Sequence, residues 1–346
     1  MIRKLLFIFL CAGAFLAGGC ASKWELKTVA GEAALQWPPY PYKARVQYVM
    51  TVRGFDESGA SIASVLKRIV FGKDRNDIGQ PVAVAAGSDG RIAIADTGLR
   101  CVHLYVPGDQ RYVKVYKAKP GELMSPVGVT FDDELRLYVA DSVLNRVVVF
   151  DRDGKFLSSF GGASSAGFRR PTGLAYDPGK KLLYVADTLR NRIFALDRDG
   201  NAVFSFGERG TADGQFNYPT HLFFSAGLLY VTDSMNFRVQ VFNASGQYLF
   251  SFGHHGDGSG DFAMPKGVAS DKDGIIYVVD SLFDNVQLFN RQGEFLLTLG
   301  SRGSAQGEFW LPSGIFIDGS DRLYICDTYN QRLQIYQVTG SHVAGK

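Results

Sequence analysis

The chain has few cysteines, little net charge and only one long hydrophobic run. Four cysteines are spread over 346 residues, and no Cys-x-x-Cys-His motif occurs, which excludes a covalently attached c-type haem on this chain. The formal net charge is +3, which gives no electrostatic reason to expect nucleic acid as a partner. After residue 20 no apolar stretch is long enough to span a bilayer as a helix. Glycine (40 residues) and aromatic residues (13%) are plentiful instead, as is typical of strands and tight turns.

The first 20 residues have the pattern of an export signal. Arg3 and Lys4 precede an apolar core, and small residues then lead to Cys20. The stretch Leu-Ala-Gly-Gly-Cys resembles a bacterial lipobox, which implies a signal peptide over 1–19 and a lipid at Cys20. Residue 21 is alanine and not the aspartate that retains lipoproteins in the inner membrane. The resemblance therefore implies an outer-membrane lipoprotein, facing the periplasm or the exterior; a plain cleaved signal or a retained anchor is the alternative.

Six copies of one short pattern recur along the chain. Each copy centres on an apolar run that ends in an aspartate, and consecutive aspartates are 45 to 47 residues apart. The six runs are IAIADT (92–97), LYVADS (137–142), LYVADT (183–188), LYVTDS (229–234), IYVVDS (276–281) and LYICDT (323–328). A period near 46 built of short β-type runs is typical of a propeller, because each copy can bury its apolar faces only against its neighbours. We therefore predict an all-β fold, a six-bladed β-propeller with four-stranded blades, formed by six repeats over residues 81–346.

The last copy is incomplete, and an N-terminal run can complete it. Only ten residues follow Tyr336, too few for a fourth strand. A spare β-type run at 45–53 is predicted to supply the missing strand and to close the ring. Apolar residues at helical spacing over 61–70 predict a short amphipathic helix, so that 45–80 holds the closing strand plus this helix. Residues 20–44 are expected to form an extended tether.

The sequence of the copies resembles the NHL repeat. The resemblance rests on a Pro-x-Gly, on the apolar run that ends in Asp-Thr and on a following Asn-Arg, and it is clearest at 171–173, 187–188 and 191–192. It covers about residues 81–337. Together with the lipobox, it implies a secreted six-bladed NHL-repeat lipoprotein of a bacterium. By the same resemblance, such lipoproteins accompany exported multihaem cytochromes in electron-transfer or envelope complexes, so an exported protein of this kind is one expected partner.

Groups that recur in the copies are expected to build the blades and not to catalyse. The aspartates, such as Asp187, are predicted to accept backbone N–H bonds in the loop after the second strand. The arginine five residues later, such as Arg192, is predicted to pair with that aspartate or with backbone. Phenylalanines before the prolines, such as Phe216, are predicted to wedge between blades. Cys101 and Cys326 are interpreted as small buried side chains, with a disulfide between blades 1 and 6 as the alternative.

Positions that differ between the copies are free to carry function. Because strand direction alternates within a blade, the loops after the second strands and the links between blades share one face, which carries the longer segments. The varied positions on that face are apolar, which suggests a protein-docking surface. The predicted partner-binding residues are Val143, Leu144, Leu189, Met235, Phe237, Leu282, Phe283, Tyr329 and Trp310. The alternative is that half or more of them pack between blades.

Enzymatic chemistry has weaker support in the motifs. Zinc lyases of related propeller shape need several histidines from different first strands, and only His221 lies at such a position. We therefore place His221 in the channel and assign no metal. Lactonases of related shape bind calcium through carboxylate and asparagine side chains at the channel mouth. The loop candidates here are Asp213, Asn217, Asp257, Asp261 and Glu308, but aspartate and asparagine are also ordinary turn formers.

These observations predict a non-catalytic, lipid-anchored scaffold for protein–protein interaction in the cell envelope, held to the membrane through its lipid. We assign no catalytic residue and no cofactor, because no motif for nucleophilic catalysis or phosphate binding occurs in the chain. Two alternatives stay open at this point. One is a metal-dependent periplasmic hydrolase, lactonase or lyase, and the other is a protein that binds peptides or glycans.

Overall fold

A computed structural model describes residues 22–31, 35–58, 76–161 and 167–339. In these residues the chain forms an all-β ring of six blades, each a sheet of antiparallel strands, which confirms the predicted fold class. Within the described residues, regular helix is limited to two single 3-10 turns, at Thr188–Arg190 and Ser234–Asn236. The lipobox and the amphipathic helix predicted at 61–70 lie outside the described residues. No helix in the described part of the chain has the length and apolar character needed to cross a membrane.

The strands are numbered in chain order and the blades I to VI. The N-terminal strands are β1 (Lys23–Ala30), β2 (Gln36–Trp37) and β3 (Val46–Ser58). Blade I contains β4 (Pro81–Ala86), β5 (Ile92–Asp96), β6 (Cys101–Val106) and β7 (Arg111–Val115). Blade II contains β8 (Pro126–Phe131), β9 (Leu137–Asp141), β10 (Arg146–Phe150) and β11 (Phe156–Gly161). Blade III contains β12 (Pro171–Asp177), β13 (Leu182–Asp187), β14 (Arg192–Leu196) and β15 (Ala202–Phe206).

The remaining blades follow the same order. Blade IV contains β16 (Pro219–Ser225), β17 (Leu228–Asp233), β18 (Arg238–Asn243) and β19 (Tyr248–Phe252). Blade V contains β20 (Pro265–Ser270), β21 (Ile276–Asp280), β22 (Asn285–Phe289) and β23 (Phe295–Leu299). Blade VI contains β24 (Ile315–Ile317), β25 (Arg322–Asp327) and β26 (Arg332–Val338), with β3 as its outer strand. The first strand of each blade lies at the centre of the ring and contacts the first strands of both neighbouring blades.

The N-terminal segment closes the ring. Strand β3 pairs antiparallel with β26, from Val46 opposite Val338 to Val52 opposite Leu333, which confirms the predicted closing strand. Strand β1 then pairs with β3, and β2 pairs with its other end. The extended tether predicted over 20–44 is therefore corrected for these two stretches. The reason is packing, since Trp24 is held against the core of the seam between blades VI and I.

The hydrophobic core lies in the seams between blades. Clusters of buried side chains each join facing sheets, for example Leu104 of blade I with Val129 and Phe150 of blade II. Phe216 and Phe262 are fully buried, as expected of wedges, and each contacts the aromatic ring at the end of a neighbouring third strand. No blade buries both of its faces alone, so the stability of each sheet depends on a closed ring.

Glycine at the third position of Pro-x-Gly allows the central strands to come close together. A Cβ added to Gly173 would lie 2.7 Å from the backbone nitrogen of Leu222 in the next blade. A Cβ added to Gly314 would lie 2.6 Å from the Cα of Ala83, at the point where blade VI meets blade I. A side chain at either position would push two blades apart, so the repeated glycine follows from backbone approach.

A hydroxyl after the conserved aspartate links successive blades. The Thr188 side chain donates to the carbonyl oxygen of Pro219 in the next blade at 2.7 Å. Thr328 makes the same bond to Pro81 at 2.8 Å across the ring closure. The equivalent bonds join Ser234 to Pro265 and Ser281 to Pro312. In four of the six copies the serine or threonine of the Asp-Ser/Thr pair is therefore an inter-blade contact, which the sequence analysis did not assign.

Replacing Thr328 with valine is expected to lower the free energy of unfolding by about 1–2 kcal/mol, because the buried carbonyl of Pro81 loses a donor. Urea unfolding measures the change. Thr97→Val is the matched control, since Thr97 holds the same place in blade I but bonds only to Gln80 of its own blade, at an exposed 3.3 Å contact. The control is expected to change stability by less than about 0.5 kcal/mol. Equal losses in both variants would contradict the inter-blade role.

Candidate functional site

The two faces of the ring differ in the length of their loops. The loops between second and third strands and the links between blades lie on one face, named here the long-loop face. The turns between first and second strands and between third and fourth strands lie on the other face, named here the short-turn face. This division follows from the antiparallel order of the four strands in each sheet. The sequence-predicted binding residues come from the long-loop face.

Buried aspartates fix the backbone of the long-loop face. The carboxylates of Asp141 and Asp280 each accept backbone N–H bonds from the link that enters the blade and from the loop that follows β9 or β21. All six aspartates are fully buried. The prediction that they accept backbone N–H groups is confirmed, and the structure adds that many of these groups belong to the preceding link. Their role is architectural, because every blade repeats it.

The arginines five residues after the aspartates are less uniform than the sequence suggested. Arg332 binds Asp327 at 2.6 Å and also donates to three carbonyl oxygens of the preceding link. Arg238 repeats this pattern in blade IV. Arg146 donates to two carbonyl oxygens of its preceding link without a hydrogen bond to Asp141. Arg192 donates to the Ser205 hydroxyl in place of the predicted aspartate or backbone. The residue type is shared, but only some copies use it to clamp the link.

The loop after each aspartate is a tight turn with a defined tip. The fourth residue after the aspartate has a left-handed backbone in every blade, with φ between 51° and 54°. These residues are Arg100, Asn145, Asn191, Phe237, Asp284 and Gln331. Such a turn places the second residue after the aspartate at its outermost point. The exposure of that residue is therefore dictated by the backbone, while its chemical type is free to vary.

Five of the six tips carry a large apolar side chain that is exposed to solvent. The exposed fractions are 60% for Val143, 42% for Leu189, 51% for Met235, 57% for Leu282 and 51% for Tyr329. We call these five residues the apolar tips. Blade I has Gly98 at this position and adds no side chain. The links contribute further exposed apolar residues, among them Trp310, whose ring lies 5.5 Å from that of Tyr329.

Three of the predicted binding residues are only partly exposed. Leu144, Phe237 and Phe283 lie one or two positions beyond the tips and are intermediate in burial. Phe237 contacts the ring of His255 at 4.5 Å and packs against the core of blades IV to VI. The predicted surface is therefore narrower than the sequence suggested, and its exposed part consists of the tips and Trp310.

A cavity of about 270 Å³ occupies the channel and opens at the short-turn face. Its walls come from the central strands and include Phe223 and Phe316, whose rings meet at 5.6 Å. Lys272 and Asp321 at the rim form an ion pair with each other. The sequence analysis gave no signal for this opening, because the residues that line it have the ordinary composition of strands.

His221, which the sequence analysis placed in the channel, lines this cavity. Its Nδ1 accepts the backbone N–H of Val268 in the next blade at 3.3 Å. The surrounding protein lowers the pKa of His221 to about 4, because burial disfavours the charged form. Within the described residues, no group of three or more His, Cys, Asp or Glu side chains is placed to hold a metal ion.

Blade I combines two unusual residues in one buried network. His103 occupies the third-strand position that carries glutamine in blades IV to VI, and it contacts Asp96 at 3.2 Å and the Tyr112 hydroxyl at 2.8 Å. Burial opposes the ionisation of Asp96, but bonds from His103 and two backbone N–H groups outweigh it and lower the pKa of this carboxyl. His103 is fully buried, which removes it from any reaction with a dissolved substrate.

The two cysteines of the blades are unbridged. Cys101 and Cys326 are both free and fully buried. Burial raises the pKa of Cys101 to about 12 and also raises that of Cys326. Thiols held protonated in this way are poor nucleophiles and poor metal ligands.

The sequence analysis missed two sets of residues. Gln240, Gln287 and Gln334 are buried in third strands, and each bonds a glycine N–H and a carbonyl oxygen of the preceding link. The second set is a single residue, Lys266, at the inner rim of blade V. Both sets deviate between copies at one repeat position, so aligning the third strands and the Pro-x-Gly motifs of the six copies would have found them.

Comparison with known proteins supports the fold and leaves the activity undetermined. A family described as a 6-bladed beta-propeller matches residues 216–281 and 268–346, which is less than half of the chain. A comparison with curated proteins gives no match. The likeness to solved structures lies at 12 to 16% identity in the three cases below and therefore concerns the fold alone.

Three solved propellers illustrate how diverse the similar proteins are. A catalytically inactive virginiamycin B lyase from Staphylococcus aureus, with quinupristin, is 12% identical, with a TM-score of 0.56, and the match covers 77% of this chain and 97% of that one. A gluconolactonase from Xanthomonas campestris is 16% identical, with a TM-score of 0.57 and coverage of 76% and 87%. An auxiliary nutrient binding protein from Bacteroides thetaiotaomicron is 12% identical, with a TM-score of 0.59 and coverage of 76% and 70%. A lyase, a lactonase and a binding protein thus have the same architecture as this chain, which has the fold of a six-bladed β-propeller.

His221 is expected to make stability depend on pH. Its pKa is lower in the folded protein than in the unfolded chain, so the unfolded chain binds the proton first as the pH falls. The stabilisation is complete above pH 6.5 and is lost as the pH falls toward about 4, by up to roughly 3 kcal/mol. Urea unfolding of wild type and His221→Asn between these values measures it, because asparagine keeps an acceptor for Val268 and does not titrate.

His254→Asn serves as the control, since the side chain of His254 is largely exposed. This variant is expected to keep the wild-type loss of stability below pH 6.5. A His221→Asn protein that loses as much stability as the wild type over the same range would show that His221 is not the responsible group.

Proposed function

We propose that this protein is a non-catalytic, lipid-anchored β-propeller that binds another exported protein through its long-loop face. The observation that carries this proposal is the set of apolar tips. Five turns of fixed geometry expose their second residue, and each of the five places a large apolar side chain there. The backbone of these turns would equally accept an exposed polar residue at the tip, so the fold alone does not explain why the tip residues are apolar.

Burial of the tips against a partner would supply that reason. Covering a large apolar side chain contributes about 1.5–3 kcal/mol when it is fully removed from water. Several tips around one ring, with Trp310 beside Tyr329, provide the separated anchors that protein interfaces use. The links between the tips carry charged residues such as Glu208, Arg209 and Arg302, which suit a polar rim around apolar contacts.

An exported multihaem cytochrome stays the candidate partner that the repeat resemblance suggests. The alternative functions differ in the side chains that they require. A metal-dependent hydrolase or lyase needs a set of metal ligands, and peptide or glycan binding needs a polar groove. The described residues of the long-loop face present apolar tips in place of either, which favours protein docking.

Replacing the tips is expected to abolish partner capture without unfolding the ring. The triple variant Leu189→Ser, Met235→Ser and Leu282→Ser should recover less than about one tenth of the wild-type partner after cross-linking in intact cells, because three anchors worth more than 1 kcal/mol each are lost. Tagged protein from solubilised envelope is analysed by mass spectrometry and for haem. Its melting temperature should stay within about 2 °C of the wild type, since exposed turns contribute little to stability.

The matched control replaces three apolar residues with similar exposure on the outer strands, Leu157→Ser, Val203→Ser and Leu249→Ser. This variant is expected to capture the partner as well as the wild type. Loss of capture in the control alone would move the interface to the perimeter, and a wild-type protein without a specific partner would count against docking itself.

The lipid anchor has a separate test. Cells grown with an alkyne-tagged fatty acid are expected to label the wild-type protein and not the Cys20→Ser variant, because only the lipobox cysteine receives the lipid. Cys11→Ser is the control, since Cys11 lies within the segment that the signal peptidase is expected to remove. Labelling of Cys20→Ser at the wild-type level would refute the anchor while leaving the docking face untouched.

A further inference from the structure

The inner rim of the long-loop face contains one charged residue where the other blades have none. The position directly follows the proline that begins each central strand in blades I to V, and it follows Pro312, which precedes β24, in blade VI. Its six occupants are Val82, Val127, Thr172, Thr220, Lys266 and Ser313. Lysine is therefore the exception in a set that is otherwise small and uncharged.

The hydrogen bonds of the neighbouring copies locate this position. The hydroxyl of Thr172 contacts that of Thr188 at 2.8 Å, and Ser313 contacts Thr328 at 2.7 Å. Thr188 and Thr328 are inter-blade hydroxyls at the long-loop end of the ring. The side chain at this position therefore belongs to the rim of the channel on the face that carries the apolar tips.

Lys266 has no partner that would balance its charge. Its side chain is partly buried, and none of the described residues forms a hydrogen bond or an ion pair with its ammonium group. The closest acidic influence comes from Asp280, whose two oxygens already accept four backbone N–H groups. Burial, with the positive charge of Arg170 adding to it, lowers the pKa of Lys266. A partly desolvated cation without a counter-ion is costly, and buried charges in proteins are normally paired.

Arg170 brings a second positive charge to the same rim. It precedes Pro171 in blade III, whereas Lys266 lies in blade V, so the two residues belong to blades on either side of blade IV. The backbone N–H of Arg170 donates to Asp187 at 2.9 Å, which places Arg170 in the link at the long-loop end of blade III. Arg170 is exposed, and within the described residues its guanidinium has no hydrogen-bonded partner either.

We propose that the mouth of the channel on the long-loop face binds an oxyanion, a carboxylate or phosphate group, through Lys266 and Arg170. A guanidinium presents two parallel N–H groups to such an ion, and an ammonium adds a mobile point charge. The site stands apart from the docking proposal, because a free anion occupies it without any partner protein.

Binding is measured with small anions on the purified ring. Isothermal titration of wild type with inorganic phosphate and with acetate, at constant ionic strength set by chloride, is expected to show saturable binding of one of them. Phosphate binding would identify a phosphorylated ligand, and acetate binding a carboxylate. Lys266→Thr, which introduces the residue of blades III and IV, is expected to weaken binding at least about tenfold, the loss of one charge-assisted contact.

Lys272→Thr is the matched control. It removes a lysine from the opposite mouth of the channel, where Lys272 is paired with Asp321, and is expected to bind the anion as the wild type does. Arg170→Gln provides a second variant, at an exposed position where loss of folding is not expected. Its affinity should fall in the same direction as that of Lys266→Thr.

A spectroscopic measurement reports on the lysine directly. In protein with ¹³C-dimethylated lysines, the resonance that disappears in Lys266→Thr is expected to titrate at a higher pH once the anion is bound, because the anion stabilises the charged amine. Absence of binding by both anions, or equal binding by wild type and Lys266→Thr, would overturn the proposal.

Discussion

The arrangement of this propeller depends on one repeated interaction, the acceptance of backbone N–H groups by a fully buried carboxylate. In each blade the aspartate at the end of the second strand bonds the link that arrives from the previous blade, and in several blades also the loop that follows. One side chain thus ties together two segments that are far apart in sequence. Bonds from backbone amides offset part of the cost of burying the carboxylate, so contacts between side chain and backbone hold the described loops and links of the long-loop face.

The side chains that support this buried aspartate differ between blades. Where Arg238 and Arg332 clamp the link, blade V has Asn285, one of whose buried side-chain atoms lacks a partner. Blade V keeps the link in place through Gln287 and through additional backbone bonds to Asp280. Blade I replaces the glutamine with His103 and gains a bond to Tyr112. The carboxylate is present in every blade, while the side chains that donate hydrogen bonds to it or to the link differ from blade to blade.

Much of the fold could be predicted because a repeated sequence provides its own comparison. The six aspartates gave the number of blades, and the missing last strand pointed to the run that became β3. The pairing of β1 with β3 was not predictable in the same way. Residues 23–30 occur once, and their strand is stabilised by contacts such as that of Trp24 with Tyr112, at 5.1 Å across the seam. Local pattern carries no information about such a contact.

The candidate site was predictable only in part, and the reason lies in side-chain direction. Sequence placed nine residues on one face, but it could not show that Leu282 is 57% exposed while the adjacent Phe283 is only partly exposed. The sequence analysis did not single out Lys266 as a functional residue. It sits inside a motif whose other members are structural, and only the absence of a counter-charge distinguishes it from a packed side chain.

Function on this scaffold is confined to positions where the ring does not depend on the side chain. The tip after Asp96 is glycine and the tip after Asp327 is tyrosine, yet both turns share the same backbone, with φ of 52° and 54° at the left-handed residue. Residue type at a tip can therefore change from nothing to an aromatic ring without altering the fold. The inner rim is different, because a partly buried charge there opposes folding. Apolar tips cost the fold little, whereas a partly buried Lys266 carries a cost that the proposed anion would offset.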